Sequence, residues 1–301
     1  MTHTVADALR DALARLARGS SPASDAEELL SRALGQTPAE LKRGRTRELS
    51  DGQARTFERW VARRAAGEPV QYITGRAAFR SLDLAVDRRV LIPRPETEGV
   101  VEAVLRVLRG DAARWPRPRV VDLGTGSGAI ALSIASEHPA VIVTATDASP
   151  GALEVARANA AALGLEPRVS WRQGDWFGAL GGDDRFEVVV SNPPYIATGE
   201  WDVLPEDVRA FEPQEALFSG SSGLEALREI VDEAPRHLVA GGLLALELAE
   251  SRAAEVAAWL EGAHDWERVE VEDDLSGQPR VLLARRASGP AIAPQQWPEE
   301  R

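Results

Sequence analysis

Two short stretches gather the residue types that could do chemistry. The first is Ser191-Asn192-Pro193-Pro194-Tyr195, which ends the apolar run Phe186-Glu187-Val188-Val189-Val190. Two prolines remove two N–H donors and hold the preceding residue extended, so a strand must stop at Asn192. A primary amide, backbone carbonyls and an aromatic ring then crowd the carboxyl edge of a sheet, where open α/β sheets bind ligands. Such a set can grip a flat NH2 group, with carbonyl oxygens accepting its protons and Tyr195 covering its face. Alone, Asn-Pro-Pro is only a turn; its weight comes from the second stretch.

That stretch is Asp122-Leu123-Gly124-Thr125-Gly126-Ser127-Gly128-Ala129-Ile130, which follows a strand pattern and opens a helix. Its glycines allow a tight turn and close backbone approach to a ligand. Asp147 ends the next strand, 19 residues after Gly128, where an acid suits the two hydroxyls of a ribose. A nucleoside-bearing cofactor is expected over these two strands. Gly124-x-Gly126-x-x-Ala129 could pass for a dinucleotide fingerprint, but S-adenosyl-L-methionine fits the surroundings better. Asp122 can hold the cofactor's ammonium through water. Asp175 and Trp176, in Gln173-Gly174-Asp175-Trp176-Phe177, close a third strand where an adenine would sit. Trp176 could instead be core, the usual place of an aromatic, but the cofactor role is the one expected of it. A nicotinamide enzyme has no evident use for Asn-Pro-Pro-Tyr.

The elements that must position these groups follow from periodicity. From Arg119 on, strand patterns alternate with helices: 120–122, 141–147, 169–172, 186–191, 243–248, 269–271 and 281–284. This predicts a seven-stranded, mostly parallel α/β sheet with helices on both faces. Before it, residues 3–35 are helical in pattern, with Val5, Leu9, Leu13 and Leu16 on one face. Ser24-x-x-Glu27 reads as a capping box, and Thr37-Pro38-Ala39-Glu40 and Ser50 as further helix starts. Phe79 to Val90 alternates as a hairpin linker. In Pro93-Arg94-Pro95 the two prolines hold Arg94 in an extended loop before a helix with acids in its first turn.

Composition bounds the rest. The chain has 301 residues, 44% hydrophobic and 27% charged, and no cysteine. Two domains are the prior at this length. Disulfides and thiolate metal sites are excluded, and four scattered histidines make a structural zinc site a poor expectation. No run reaches the ~20 apolar residues of a membrane span, and the first residues lack the order of a secretory signal. A cytoplasmic enzyme without metal or membrane is expected. Net charge is −12, unevenly spread: residues 1–90 carry 16 basic and 12 acidic side chains, residues 91–301 carry 19 and 35. So acidic a site-bearing segment argues against tight binding to DNA.

Asp122–Gly128 with Asn192–Tyr195 resembles the class I methyltransferases that act on planar NH2 nitrogens. Two branches share it, DNA adenine-N6 methylases and protein glutamine-N5 methylases. From about Ala8 to Arg286 the chain is similar to the second, the HemK/PrmC family. The resemblance also rests on Gly67-Glu68-Pro69-x-Gln71-Tyr72-Ile73-x-Gly75, Ile92-Pro93-Arg94-Pro95-Glu96-Thr97-Glu98, Asp175-Trp176-Phe177 and Phe211-Glu212-Pro213. It implies methylation of the glutamine in the Gly-Gly-Gln motif of peptide-chain release factors. It also implies cofactor contacts at Gly124–Gly128, Asp147, Trp176 and Asn192, and substrate contacts at Asn192, Pro193, Pro194, Tyr195 and Arg94. The division expected is a helical substrate-docking domain over 1–75, a hairpin linker over 76–95, a methyltransferase domain over 96–286 and a disordered tail over 287–301. Two positions depart from the family pattern. Ser81 stands in Phe79-Arg80-Ser81-Leu82 where glycine is usual, and Ala249 in Glu247-Leu248-Ala249 likewise. A residue needing positive φ would be strained there.

Overall fold

A computed structural model of the chain describes residues 4–17 and 21–289. They form two compact units. One holds the residues up to Arg76 together with Leu204–Glu212; the other holds Ala77 to Val203 and the residues from Pro213 on. The tail expected beyond 286 lies, from residue 290, outside the described residues.

The first unit is helical: α1 (Val5–Leu16), α2 (Pro22–Leu34), α3 (Pro38–Arg43), α4 (Asp51–Ala65) and α5 (Val70–Thr74). Capping boxes start three of them: Thr4 with Asp7, Thr37 with Glu40, and Ser50 with Gln53. The box expected at Ser24 and Glu27 does not form. The second helix already begins at Pro22, because proline's fixed φ and missing N–H suit a first turn. Val5, Leu9 and Leu16 pack with Leu29, Leu30, Leu41, Phe57 and Val61. Leu13 turns off that face and is 38% exposed.

The second unit opens with a hairpin, β1 (Arg76–Phe79) and β2 (Leu82–Ala85), shorter than expected and ending well before Val90. The chain leaves it because the Asp87 carboxylate accepts the Arg89 N–H (3.0 Å), making a turn. The positive φ falls on Arg80 (φ 50°), not on Ser81, so the expected strain sits one residue earlier. Arg80 is held in place by its neighbours. Its N–H donates to Glu98 (2.8 Å), and its guanidinium pairs with Glu137 and Glu102. Ala249 has ordinary extended backbone (φ −68°, ψ 141°), so glycine is not required there.

The sheet follows: α6 (Thr97–Gly110), β3 (Arg119–Leu123), α7 (Ala129–Glu137), β4 (Ile142–Asp147), α8 (Pro150–Leu163), β5 (Val169–Gln173) and β6 (Phe186–Ser191). Beyond it come α9 (Glu206–Phe211, in the first unit), α10 (Glu225–His237), β7 (Leu238–Glu247), α11 (Glu250–Gly262), β8 (Trp266–Asp273) and β9 (Pro279–Arg286). The seven strands run in the order β5-β4-β3-β6-β7-β9-β8, parallel except that β9 is antiparallel to both neighbours. Strand alternation sends Val120, Val143, Val188 and Val190 to one face, under Val104, Leu105 and Leu132. Val121, Leu123, Val189 and Leu244 go to the other, under Leu227, Ile230 and Val256. Each of these side chains is fully buried, a gain of about 1.5–3 kcal/mol apiece over exposure. The strand order reverses direction beside β3, which puts the loops after β3 and β6 at the crevice where such sheets bind ligands.

Candidate active site

A cleft of about 250 Å³ opens at the carboxyl ends of β3 to β6. Of the residues expected at the site it is lined by Gly124, Gly126, Asp147, Asp175, Trp176, Asn192 and Pro194. Asp122, Thr125, Ser127, Gly128, Pro193, Tyr195 and Arg94 do not line it, and each is placed for another reason.

Asp122 lies beneath the glycine loop with no exposure. Its Oδ2 accepts the Thr125 hydroxyl (2.6 Å) and the Ala131 N–H (3.1 Å), stapling the loop to the first turn of α7. Asp122, expected to reach the cofactor's ammonium only through water, shapes the cleft wall from below. Burial pushes its carboxyl up to about 7, and its Oδ1 is buried without a partner. Gly128, at φ 85°, caps α7; a Cβ there would stand 2.9 Å from Leu132 Cδ1. Gly124, at φ 69°, lies under the Trp176 ring, whose Cζ3 would be 3.3 Å from a Cβ. Trp176 itself has φ 40° and packs on the second core cluster while lining the cleft.

Asp147 joins two loops. One carboxylate oxygen accepts the Gly126 N–H (2.8 Å) and the other the Ser149 N–H (2.9 Å). Burial raises its pKa, against those two hydrogen bonds. Asn159, which the sequence reading missed, works behind the loop. Its Nδ2 donates to Ser127 O (2.9 Å) and Ala85 O (3.0 Å), and its Oδ1 accepts the Ala85 N–H (2.7 Å). The signal was there: an amide on the buried side of the alanine-rich helix α8.

At the other end of the cleft, Ser191 is the last register partner of Leu246. Asn192 follows it and Glu247 follows Leu246, so the two leave adjacent strands side by side. Asn192 Nδ2 donates to Thr97 Oγ1 (3.1 Å). Pro193 is buried and Pro194 lines the cleft. Tyr195 is half-buried against the second core cluster. Burial raises its hydroxyl pKa, and the charges of Glu247, Arg280, Arg94 and Glu96 all reach it. This side of the site is therefore polar and charged, and Arg94 does not line the cleft. Ile196 is fixed by pairing: its N–H donates to Leu217 O (3.1 Å) and its carbonyl accepts the Ser219 N–H (2.9 Å). Glu247, Thr97, Arg280 and Glu215 were not read as site residues. Among the described residues no group of three or more His, Cys, Asp or Glu is placed to hold a metal.

This strand order, with a glycine loop after β3, an acid ending β4 and Asn-Pro-Pro-Tyr after β6, defines a class I methyltransferase fold. The crystal structure of the hMettl16 catalytic domain in complex with MAT2A 3'UTR hairpin 6 shares it, at TM-score 0.55 and 14% identity over 83% of this chain and 87% of that one. Residues 7–75 match the PrmC N-terminal domain family and residues 102–206 the Methyltransferase small domain family. The release factor glutamine methyltransferase of Cereibacter sphaeroides is 43% identical over 93% of this chain and 98% of its own length. That of Deinococcus radiodurans is 42% identical over 94% and 99%. The chain belongs to the release factor glutamine methyltransferase family.

Proposed function

We propose that this chain transfers the methyl group of S-adenosyl-L-methionine to the side-chain amide nitrogen of the Gly-Gly-Gln glutamine in peptide-chain release factors. The observation that carries this reading is the meeting, in one cleft, of the glycine loop and Asn192 with Pro194, in a chain of this family. Neither DNA adenine methylation nor nicotinamide chemistry is favoured by those relatives.

The residues present fit the cofactor. Gly124 and Gly126 present backbone rather than side chain to the cleft, Asp147 offers acceptors at the ribose position, and Trp176 gives a flat apolar wall. Asp122 Oδ1 is a buried acceptor still lacking a donor, under the loop where an ammonium would be held. When bound, the cofactor supplies an electrophilic methyl on a sulfonium.

The protein's work is on the nitrogen, whose lone pair is delocalised into the carbonyl. Asn192 Oδ1 and the Pro193 carbonyl accept the two amide protons of the substrate glutamine. They hold the nitrogen facing the methyl and favour the pyramidal geometry in which positive charge develops. A neutral asparagine does this without the charge that would hold a sulfonium unproductively. The proton leaves after transfer, so no general base is needed. The reaction fits the cytoplasm, where translation ends; among the described residues no helix is long and apolar enough to cross a membrane.

Incubating the purified chain with a release factor and the cofactor should add one methyl to the Gly-Gly-Gln peptide, read by mass spectrometry. Asn192→Ala should slow transfer by about 10²–10³ with cofactor affinity intact, the size of effect seen when one preorganised contact is lost. Near-normal transfer by that variant would refute the assignment of Asn192.

A further inference from the structure

Resting on the reading of Asn192 above, we infer that Thr97 is a positioning residue: its hydroxyl, anchored on the buried carboxyl of Glu247, fixes which end of the Asn192 amide faces the cleft. Three observations carry this. Thr97 and Glu247 are buried, at 4% and 1% exposure, in the first turn of α6 and the last residue of β7. The Thr97 side chain hydrogen-bonds the Glu247 carboxyl, and Asn192 Nδ2 lies 3.1 Å from Thr97 Oγ1. Among the described residues Asn192 Oδ1 takes no hydrogen bond.

A hydroxyl has one proton to give. Where the Glu247 carboxyl is ionised, above about pH 7, it can only accept, so that proton is directed to Glu247 and Thr97 Oγ1 meets Asn192 with lone pairs alone. Only the NH2 end of the amide can face it, so Oδ1 is turned away from Thr97. An asparagine amide is nearly symmetric in shape, and packing alone does not select one orientation. The selection is what the reaction needs, because an NH2 in place of Oδ1 would point donors at a donor, the substrate amide. Glu247 gains firmness from its surroundings: it sits on the strand next to Asn192, with the charges of Arg280, Arg94 and Glu96 around it.

The test compares full-length Thr97→Val, which keeps the shape and removes the hydroxyl, with Thr97→Ser, which keeps the hydroxyl. The first readout is methylation of a purified release factor with labelled S-adenosyl-L-methionine. Thr97→Val should lower kcat about 10- to 30-fold, less than loss of the direct contact, with cofactor affinity within about twofold of wild type. Thr97→Ser should stay within about threefold in kcat. The second readout is the side-chain NH2 resonance of Asn192, identified by its disappearance in Asn192→Asp. It should shift in Thr97→Val and hold in Thr97→Ser. Full kcat in Thr97→Val, an unmoved resonance, or equal losses in kcat and cofactor affinity in both variants would overturn the inference. If wild type transfers no methyl to the release factor, the substrate reading falls, and the resonance still decides the role of Thr97. Should Thr97→Val not fold, Thr97→Ala replaces it in both measurements.

Discussion

Glu247 ends β7 with a carboxylate oxygen buried and unpartnered. Burial lifts its pKa from 4.5 to about 7. Between those values the folded chain keeps a proton that the unfolded chain has released. Stability therefore falls as pH rises through that window and stays lowered above it. Glu247→Gln removes this dependence. Urea melts at pH 5 and pH 8 should show the variant gaining on wild type at the higher pH, by on the order of 3 kcal/mol. A gap independent of pH would mean that Glu247 is ionised throughout. Asp122 is raised too, but it is present in both proteins and cancels. At this scale the sequence revealed those residues whose meaning is local: Gly124, Asp147, Trp176 and Asn192 sit in short motifs. Glu247, Thr97 and Asn159 draw theirs from partners tens of residues away. Tyr195 was legible as a member of its motif, but its packing against the core was not.

The turn between β1 and β2 shows how an element absorbs a departure from pattern. Ser81 looked like the strained position because glycine is usual there; the backbone instead places the left-handed residue at Arg80 and ties it down with Glu98, Glu102 and Glu137. Arg80→Ala should cost about 1–2 kcal/mol, since it strips the part-buried Glu137 and the exposed Glu102 of their partner. Arg80→Gly should cost about 1 kcal/mol less, because glycine takes the same φ without penalty. Equal losses in chemical denaturation would show that the turn carries no strain. A second element supports the Asn192 loop. Gly223, at φ 78°, passes so close that a Cβ would lie 2.6 Å from Tyr195 O. Gly223→Ala should displace that loop and lower kcat at least tenfold while leaving cofactor affinity nearly unchanged, read by isothermal titration and methylation together. Strand existence was legible throughout, from β-branched runs between breakers. Boundaries were less so: β7 starts at Leu238, five residues before its unbroken apolar run, because β6 offers pairing partners there.

Over the whole chain, charge and composition divide the labour. The first unit is nearly balanced, with 14 basic and 13 acidic side chains, and the second, with 21 and 34, carries the acids and the cleft. The helical unit has no chemistry of its own on view, and docking of the release factor's body is the role we assign it. Reversing charge on exposed α4 residues, as in Arg55→Glu with Arg59→Glu, should raise KM for an intact release factor several-fold. KM for a short Gly-Gly-Gln peptide should not change. Equal effects on both substrates would remove the docking role. Helix starts made this unit readable at Thr37 and Ser50, while the box at Thr4 went unread and the one expected at Ser24 does not form. The grouping of Leu204–Glu212 with it was not readable, since no periodicity signals a segment that leaves one unit to join another.

Asn159 ties three backbone groups of two distant segments to a single side chain, 74 residues from Ala85 in sequence. Exchanging its amide for a carboxylate, a change of one heavy atom, would set like against like at both carbonyls. A lesion in the short ribbon of β1 and β2, remote from any chemistry, would thus be felt as looser grip on the methyl donor.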